Sequence, residues 1–254
     1  MKNDFEMIVH KLPRDMMRLN FYPVGDLHPE SEQFNERLWY TWKKTVMEDE
    51  FGYWGYIGDM FDNALKKSKT NSYEQRMRPR DAKIWLTKEL GDIRDKCFGG
   101  CDGNHEYRSV YECDDSPLYD VMSKLDLEDY HRPNACFMKI AVGEKSKDRQ
   151  FAYTFVLQHG KSRGKVVNYS YAIDGMDVMI TGHTHGAESG FPAKIVIDPY
   201  NEMVRQVPFK RVIVPSMLDF GGYAMRDMYM PQDNTIIPVV TLLGDKKKVE
   251  VSWK

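Results

Sequence analysis

Charge of one sign has no excess in this chain: 36 lysines and arginines stand against 38 aspartates and glutamates over 254 residues, a net charge of −2. Such a balance gives no global attraction for a polyanion, so any nucleic-acid contact has to come from a local patch. Long apolar runs are missing too. No stretch reaches the roughly 20 apolar residues that a spanning helix needs. Residues 1–12 mix charged with apolar side chains where a secretory leader would run unbroken. These absences predict a soluble, cytoplasmic protein with no membrane partner. Cysteine is sparse, and Cys97, Cys101, Cys113 and Cys136 contain no CxxC pair. That excludes the common zinc-cluster patterns and predicts reduced, mostly buried thiols. No low-complexity tract argues for disorder, and 42% hydrophobic residues suffice for one globular domain spanning 1–254.

What the chain does have is histidine in polar loops. Five of its seven histidines lie in four short motifs, Gly25-Asp26-Leu27-His28, Gly103-Asn104-His105-Glu106, Gln158-His159-Gly160 and Gly182-His183-Thr184-His185. A further motif, Gly58-Asp59-Met60-Phe61-Asp62, adds two carboxylates. Most of these motifs follow an apolar segment that reads as a strand: residues 19–24, 51–57, 97–101, 151–158 and 178–181. Residues two apart in an extended segment point to one side, so Asp26 and His28 are expected to face one ion together. Side chains that leave the carboxyl ends of neighbouring strands converge on one crevice. Asp26, His28, Asp59, Asn104, His159, His183 and His185 then offer seven oxygen or nitrogen donors and no thiolate. One ion with an open position rarely needs so many, whereas two ions sharing a carboxylate do.

Around the motifs, helices are expected at 31–47 with Ser31 as cap, after Pro79, from Ser116-Pro117, and over 165–173. Strands are expected at 136–142 and 151–158, joined by a turn at 143–149, and near Ile195, Val212, 237–243 and 249–253, the last group read as antiparallel. Residues 1–18 read as an N-terminal extension, 66–80 as a surface loop, and 190–254 as a mainly β part of the same domain. Helices early and strands late predict an α/β fold, a layered sandwich with mixed sheets flanked by helices.

The ordered set DxH, GDxxD, GNHE, H and GHxH over residues 20–190 resembles the calcineurin-like metallophosphoesterases, and the stretch 58–75 is similar to bacteriophage-borne members. The resemblance implies that Asp26, His28 and His185 hold one divalent ion, that Asn104, His159 and His183 hold a second, and that Asp59 bridges them. It implies that His105 protonates the leaving oxygen or steadies transition-state charge, with Asp62 as the carboxylate that orients it. Two such ions, about 3.5–4 Å apart, activate a bridging water as hydroxide and grip the phosphoryl oxygens. All-O/N ligation suits manganese, the preferred choice, or iron or zinc. Protein phosphatases of the family follow the orienting Asp with Arg-Gly, but Asp62 is followed by Asn63-Ala64. GHTH is the form seen in its phosphodiesterases and nucleases. The expectation is therefore a phosphodiesterase acting on nucleic acid or a nucleotide, with a small-molecule phosphomonoesterase as the alternative. Family members that serve as non-catalytic scaffolds usually lack several ligands, and this chain keeps every one. Candidate substrate contacts are Arg108, Asn63, Lys161, Arg163, Lys165 and Tyr223, the last as a stacking platform.

Overall fold

The computed structural model describes residues 5–66, 68, 73 and 75–254. Two six-stranded mixed sheets lie face to face. The first runs β14 (Val249–Trp253), β13 (Pro238–Leu243), β2 (Arg18–Val24), β3 (Gly52–Ile57), β4 (Cys97–Cys101) and β5 (His131–Arg132). Its strands β2 to β5 are parallel, whereas β13 is antiparallel to both neighbours. The second runs β1 (Ile8–Lys11), β6 (Cys136–Ser146), β7 (Arg149–Leu157), β8 (Val178–Thr181), β12 (Lys210–Ile213) and β9 (Glu188–Gly190), with β7, β8 and β12 parallel.

Strand alternation builds the layers. Along β2, Leu19 and Phe21 point into the core between the sheets, where they meet Met138, Phe155 and Ile180 from the second sheet. Tyr22 and Val24 point the other way. There they pack with Trp54 and Tyr56 of β3 under α1 (Glu36–Glu48), α2 (Pro79–Gly91) and α4 (Pro117–Lys124). The outer face of the second sheet is covered by α5 (Arg163–Ala172) through Val156, Val166 and Met179. The order of layers is helix, sheet, sheet, helix, an α/β sandwich with mixed sheets.

Several local expectations are corrected. The first long helix starts at Glu36, because Asn35 caps it by accepting the Leu38 N–H at 2.8 Å, while Ser31 sits in the preceding turn. The helix α3 (Glu106–Cys113) follows the GNHE loop directly and was not foreseen. The hairpin turn falls within the expected stretch but is shorter, residues 147–148, because β6 continues past a register shift between Val142 and Ser146. The late strands are not uniformly antiparallel, since β12 pairs parallel with β8. A separate hairpin, β10 (Ala193–Asp198) with β11 (Met203–Pro208), adds a strand that the pattern did not announce. Gly222 begins a short helix, α6 (Gly222–Arg226). The expected surface loop falls partly on residues 67, 69–72 and 74, and the N-terminal extension partly on residues 1–4; these lie outside the described residues. The thiols are free, with Cys97, Cys101 and Cys136 buried and Cys113 exposed. Among the described residues no helix is long and apolar enough to cross a membrane.

Candidate metal centre

Five strand ends deliver the motifs to one place. Asp26 and His28 follow β2, Asp59 follows β3, Asn104 and His105 follow β4, His159 follows β7, and His183 and His185 follow β8. The loops are sewn together through their main chains: Asp26 donates to the Gly58 carbonyl at 3.1 Å, Leu27 to Asp59 at 2.8 Å, and Gly182 to His159 at 3.0 Å. So close a meeting requires glycine. A Cβ on Gly58, whose φ is +80°, would lie 2.1 Å from the Gly103 nitrogen, and one on Gly182 would lie 2.3 Å from an Asp26 carboxylate oxygen.

Asp26 and His28 do not lie in an extended segment. Their φ angles are 48° and 46°, and Asp59, His183 and His185 share the left-handed region at 49°, 66° and 57°. Asp and His tolerate that region better than branched residues do, and strain of this kind gathers at functional sites. Left-handed turns, rather than strand alternation, aim these side chains inward.

Asp59 is the hub. One of its oxygens lies 3.1 Å from His159 Nε2, 3.6 Å from His105 Nε2 and 3.9 Å from His28 Nε2, while the other accepts the His105 main-chain N–H at 2.8 Å. On one side Asp26, His28 and His185 bring ligand atoms within 4.8 Å of one another, and on the other Asp59, His159 and His183 do the same. Asn104 Oδ1 joins the second group, 2.9 Å from His159 Nε2, and His183 Nδ1 lies 3.1 Å from that same nitrogen. His159 Nδ1 faces the Ile57 carbonyl at 2.8 Å, which fixes the ring with Nε2 turned into the cluster.

The donor set fits divalent ions. Asp26 Oδ1 is buried and makes no hydrogen bond among the described residues, though His185 Nε2 lies 3.2 Å away. Nitrogen and oxygen donors with no thiolate crowd one another here, an arrangement suited to cations. The ionisation pattern agrees. Burial opposes charge on Asp59, but the imidazolium charges of His159 and His105 outweigh it and hold the carboxyl below its ordinary range. Burial also opposes charge on His159, yet Asp59 and Asp26 raise the imidazole to about 10. His28, buried and repelled by His105, is pushed down to about 4.

Beside the cluster, His105 Nδ1 donates to the main-chain carbonyl of Asp62 at 2.8 Å, with the Asp62 carboxylate 3.2 Å away. The ring nitrogen thus faces both the carbonyl, at the shorter distance, and the carboxylate of Asp62. Burial lowers the His105 imidazole, but Asp59 and Asp62 overcome it and raise it. Arg108 is folded onto this group, with one nitrogen 2.9 Å from the Asp62 carbonyl and another 2.8 Å from His105 Nε2. Asn63 is corrected as a substrate contact. It is buried, its amide donates to the His105 carbonyl at 2.7 Å, and its oxygen accepts from Ser109 at 2.9 Å, so its polar atoms hold the loop. Lys161 and Lys165 are exposed, and Arg163 pairs with Glu188 at 3.4 Å while reaching Gly186, next to His185. The Tyr223 side chain lies outside the described residues.

Two residues that the sequence did not single out as clamps hold the loop 59–63. Glu106 accepts main-chain N–H groups from Asp59 at 2.9 Å, Gly103 at 2.8 Å and Phe61 at 3.1 Å. Glu30 accepts from Asp62 at 2.8 Å and Asn63 at 3.4 Å. Burial raises both carboxyls, that of Glu106 to about 8 and that of Glu30 to about 7. Glu106 stands inside a recognisable motif, whereas Glu30 carries no spacing signal.

The four layers and the converging loops agree with what the motif order, by its resemblance to calcineurin-like metallophosphoesterases, leads one to expect. No family model matches its sequence, and no curated protein is similar to it. Solved structures with a similar backbone include a Vps29 from Entamoeba histolytica complexed with zinc, 12% identical at a TM-score of 0.41 and covering 93% of this chain and 98% of that one. A metallophosphoesterase from Sphaerobacter thermophilus is 11% identical at 0.41, covering 93% and 88%. The nuclease MPE of Pseudomonas putida is 13% identical at 0.35, covering 91% and 87%. Likenesses this distant assign no activity; the site has to be read from its own residues.

Proposed function

We propose that this chain is a metal-dependent hydrolase that cleaves a phosphodiester, of nucleic acid or a nucleotide, at a centre for two divalent ions. The observation that supports it most is the position of Asp59 between two groups of donors, with one oxygen within 4 Å of His28, His105 and His159. In this reading Asp26, His28 and His185 would hold one ion, Asn104, His159 and His183 would hold the other, and Asp59 would be shared between them. Manganese is the preferred metal, with iron or zinc as alternatives. Two such ions supply an activated water and charge for the phosphoryl oxygens.

The protein's own residues supply orientation and a proton. His105 is fixed through Nδ1 by the Asp62 carbonyl, which leaves Nε2 facing Asp59 and the cluster. Asp59 and Asp62 favour the imidazolium, whose Nε2 proton can pass to the leaving oxygen once Arg108 has moved off that atom. Arg108, already within 2.8 Å of Nε2, lies where its guanidinium can grip a phosphate oxygen as the substrate enters. Glu30 and Glu106 keep the loop of Asp59 and Asp62 in register by accepting its main-chain N–H groups.

The test is a paired assay of manganese-loaded protein on bis-p-nitrophenyl phosphate and p-nitrophenyl phosphate, with His105→Ala alongside. The expected outcome is faster cleavage of the diester and a loss of about 10²–10⁴-fold in the variant, the range of general acid catalysis. Faster monoester cleavage would instead favour the phosphomonoesterase alternative. Cleavage of neither by protein shown to carry metal would sink the hydrolase reading.

A further inference from the structure

Asp62 carries more than one contact. Its main-chain carbonyl already accepts the His105 Nδ1 hydrogen at 2.8 Å, so the carboxylate is not needed for that ring's tautomer. The carboxylate, whose Oδ1 lies 3.2 Å from His105 Nδ1, also faces a second imidazole, with the same oxygen 3.7 Å from His28 Nδ1. His28 Nδ1 and Asp62 Oδ2 are buried atoms with no hydrogen-bond partner among the described residues, and the two residues are 3% exposed. A buried donor left unpaired is costly, and the Asp62 carboxylate lies one small shift from supplying the acceptor that His28 Nδ1 lacks. At the far side of the same ring, His28 Nε2 lies 4.0 Å from Asp26 Oδ1 and 3.9 Å from Asp59 Oδ2, within the donor cluster.

We infer that the Asp62 carboxylate is the positioning partner of His28. It receives the Nδ1 hydrogen, so that Nε2 is presented to the ion shared with Asp26 and His185, while the main chain of Asp62 serves His105. A ligating imidazole commonly donates its other N–H to a carboxylate, which fixes the tautomer and strengthens the nitrogen as a ligand. This role rests on the two-ion reading above, and it assigns the Asp62 side chain to metal affinity rather than to the leaving-group proton alone. Asp62 is held for it by Glu30, which takes the Asp62 N–H at 2.8 Å.

Calorimetric titration of the metal-free protein with manganese separates the possibilities, using wild type, Asp62→Asn, His105→Ala and His28→Ala. Asp62→Asn keeps the main-chain carbonyl for His105 but loses the anionic acceptor. Its affinity for one of two ions is expected to fall about 10–100-fold, the usual cost of a lost outer partner. His105→Ala is expected to bind both ions as wild type does, and Asp62→Asn added to His28→Ala should cost nothing further. Wild-type affinity for both ions in Asp62→Asn, with its catalysis lost, would overturn the inference and return the carboxylate to His105. Should Asp62→Asn fail to fold, nitrogen-detected NMR of the zinc-loaded wild type decides. The inference requires the proton on Nδ1 of His28, and a proton on Nε2 contradicts it. A wild type that binds fewer than two ions would be a failure of the two-ion reading itself, visible before any variant is compared.

Discussion

Glu106 and His10 show two ways in which this chain buries an ionisable side chain. Glu106 is fully enclosed, and burial beside Asp59 and Asp102 raises its carboxyl to about 8, yet it accepts three main-chain N–H groups from two loops of the site. His10 lies far from the donor cluster, stacked on Phe98 at 4.2 Å, with Nε2 facing the Phe98 carbonyl at 2.8 Å. Burial lowers its imidazole below 6.5, so the folded chain prefers it neutral while the unfolded chain takes up the proton as pH falls. Stability from this residue is thus complete above about pH 6.5 and declines below it. Between pH 7 and pH 5 wild type is expected to lose more unfolding free energy than His10→Gln does, as read by urea denaturation at each pH. Equal losses would contradict the assignment.

Residues able to hold a metal ion are the most legible part of the sequence, because Asp, Asn and His in glycine-flanked turns are uncommon in such order. The structure brings all seven donors together. Legibility ended at contacts formed between distant segments. Nothing around Glu30 announces that it will cap the N–H groups of Asp62 and Asn63, since that pairing exists only once two loops meet. Asn63 was misread for the same reason: a polar side chain beside a site can point at substrate or at its own loop, and here Ser109 and the His105 carbonyl take it.

At the scale of elements, α1 and α2 are joined by a buried charge as well as by aromatic packing. Lys43 Nζ lies 2.8 Å from Glu89 and 2.7 Å from Asp92, and the Trp39 indole donates to the same Glu89 oxygen at 3.3 Å. Removing the cation leaves a buried carboxylate without its partner. Lys43→Ala is expected to lower stability by about 3 kcal/mol, measured by denaturant unfolding, and Lys43→Ala with Glu89→Leu to recover part of that loss. An unchanged midpoint in the single variant would show that the pair contributes nothing. Periodicity read most elements well, for example α2 from Pro79 and α4 capped by Ser116. It missed α3, whose exposed Tyr107 and Tyr111 blur an apolar stripe, and β11, whose residues are mostly exposed and show no alternation. It also misassigned β12, because parallel or antiparallel pairing is set by topology and leaves little trace in a four-residue strand.

For the whole molecule, the two sheets act as one frame: β2, β3 and β4 of the first and β7 and β8 of the second end on the same side and present their loops to each other. The core between the sheets, from Leu19 and Phe21 to Phe155 and Ile180, sets the spacing at which Asp59 can face both His28 and His159. In the two-ion reading this frame builds a centre that Asp59 shares between its two ions. The most direct measurement is the number of manganese ions bound per chain, by elemental mass spectrometry after equilibrium dialysis, for wild type and Asp59→Asn. The account predicts two ions in wild type and loss of at least one in the variant. One ion or none in wild type, or two retained in Asp59→Asn, would contradict it.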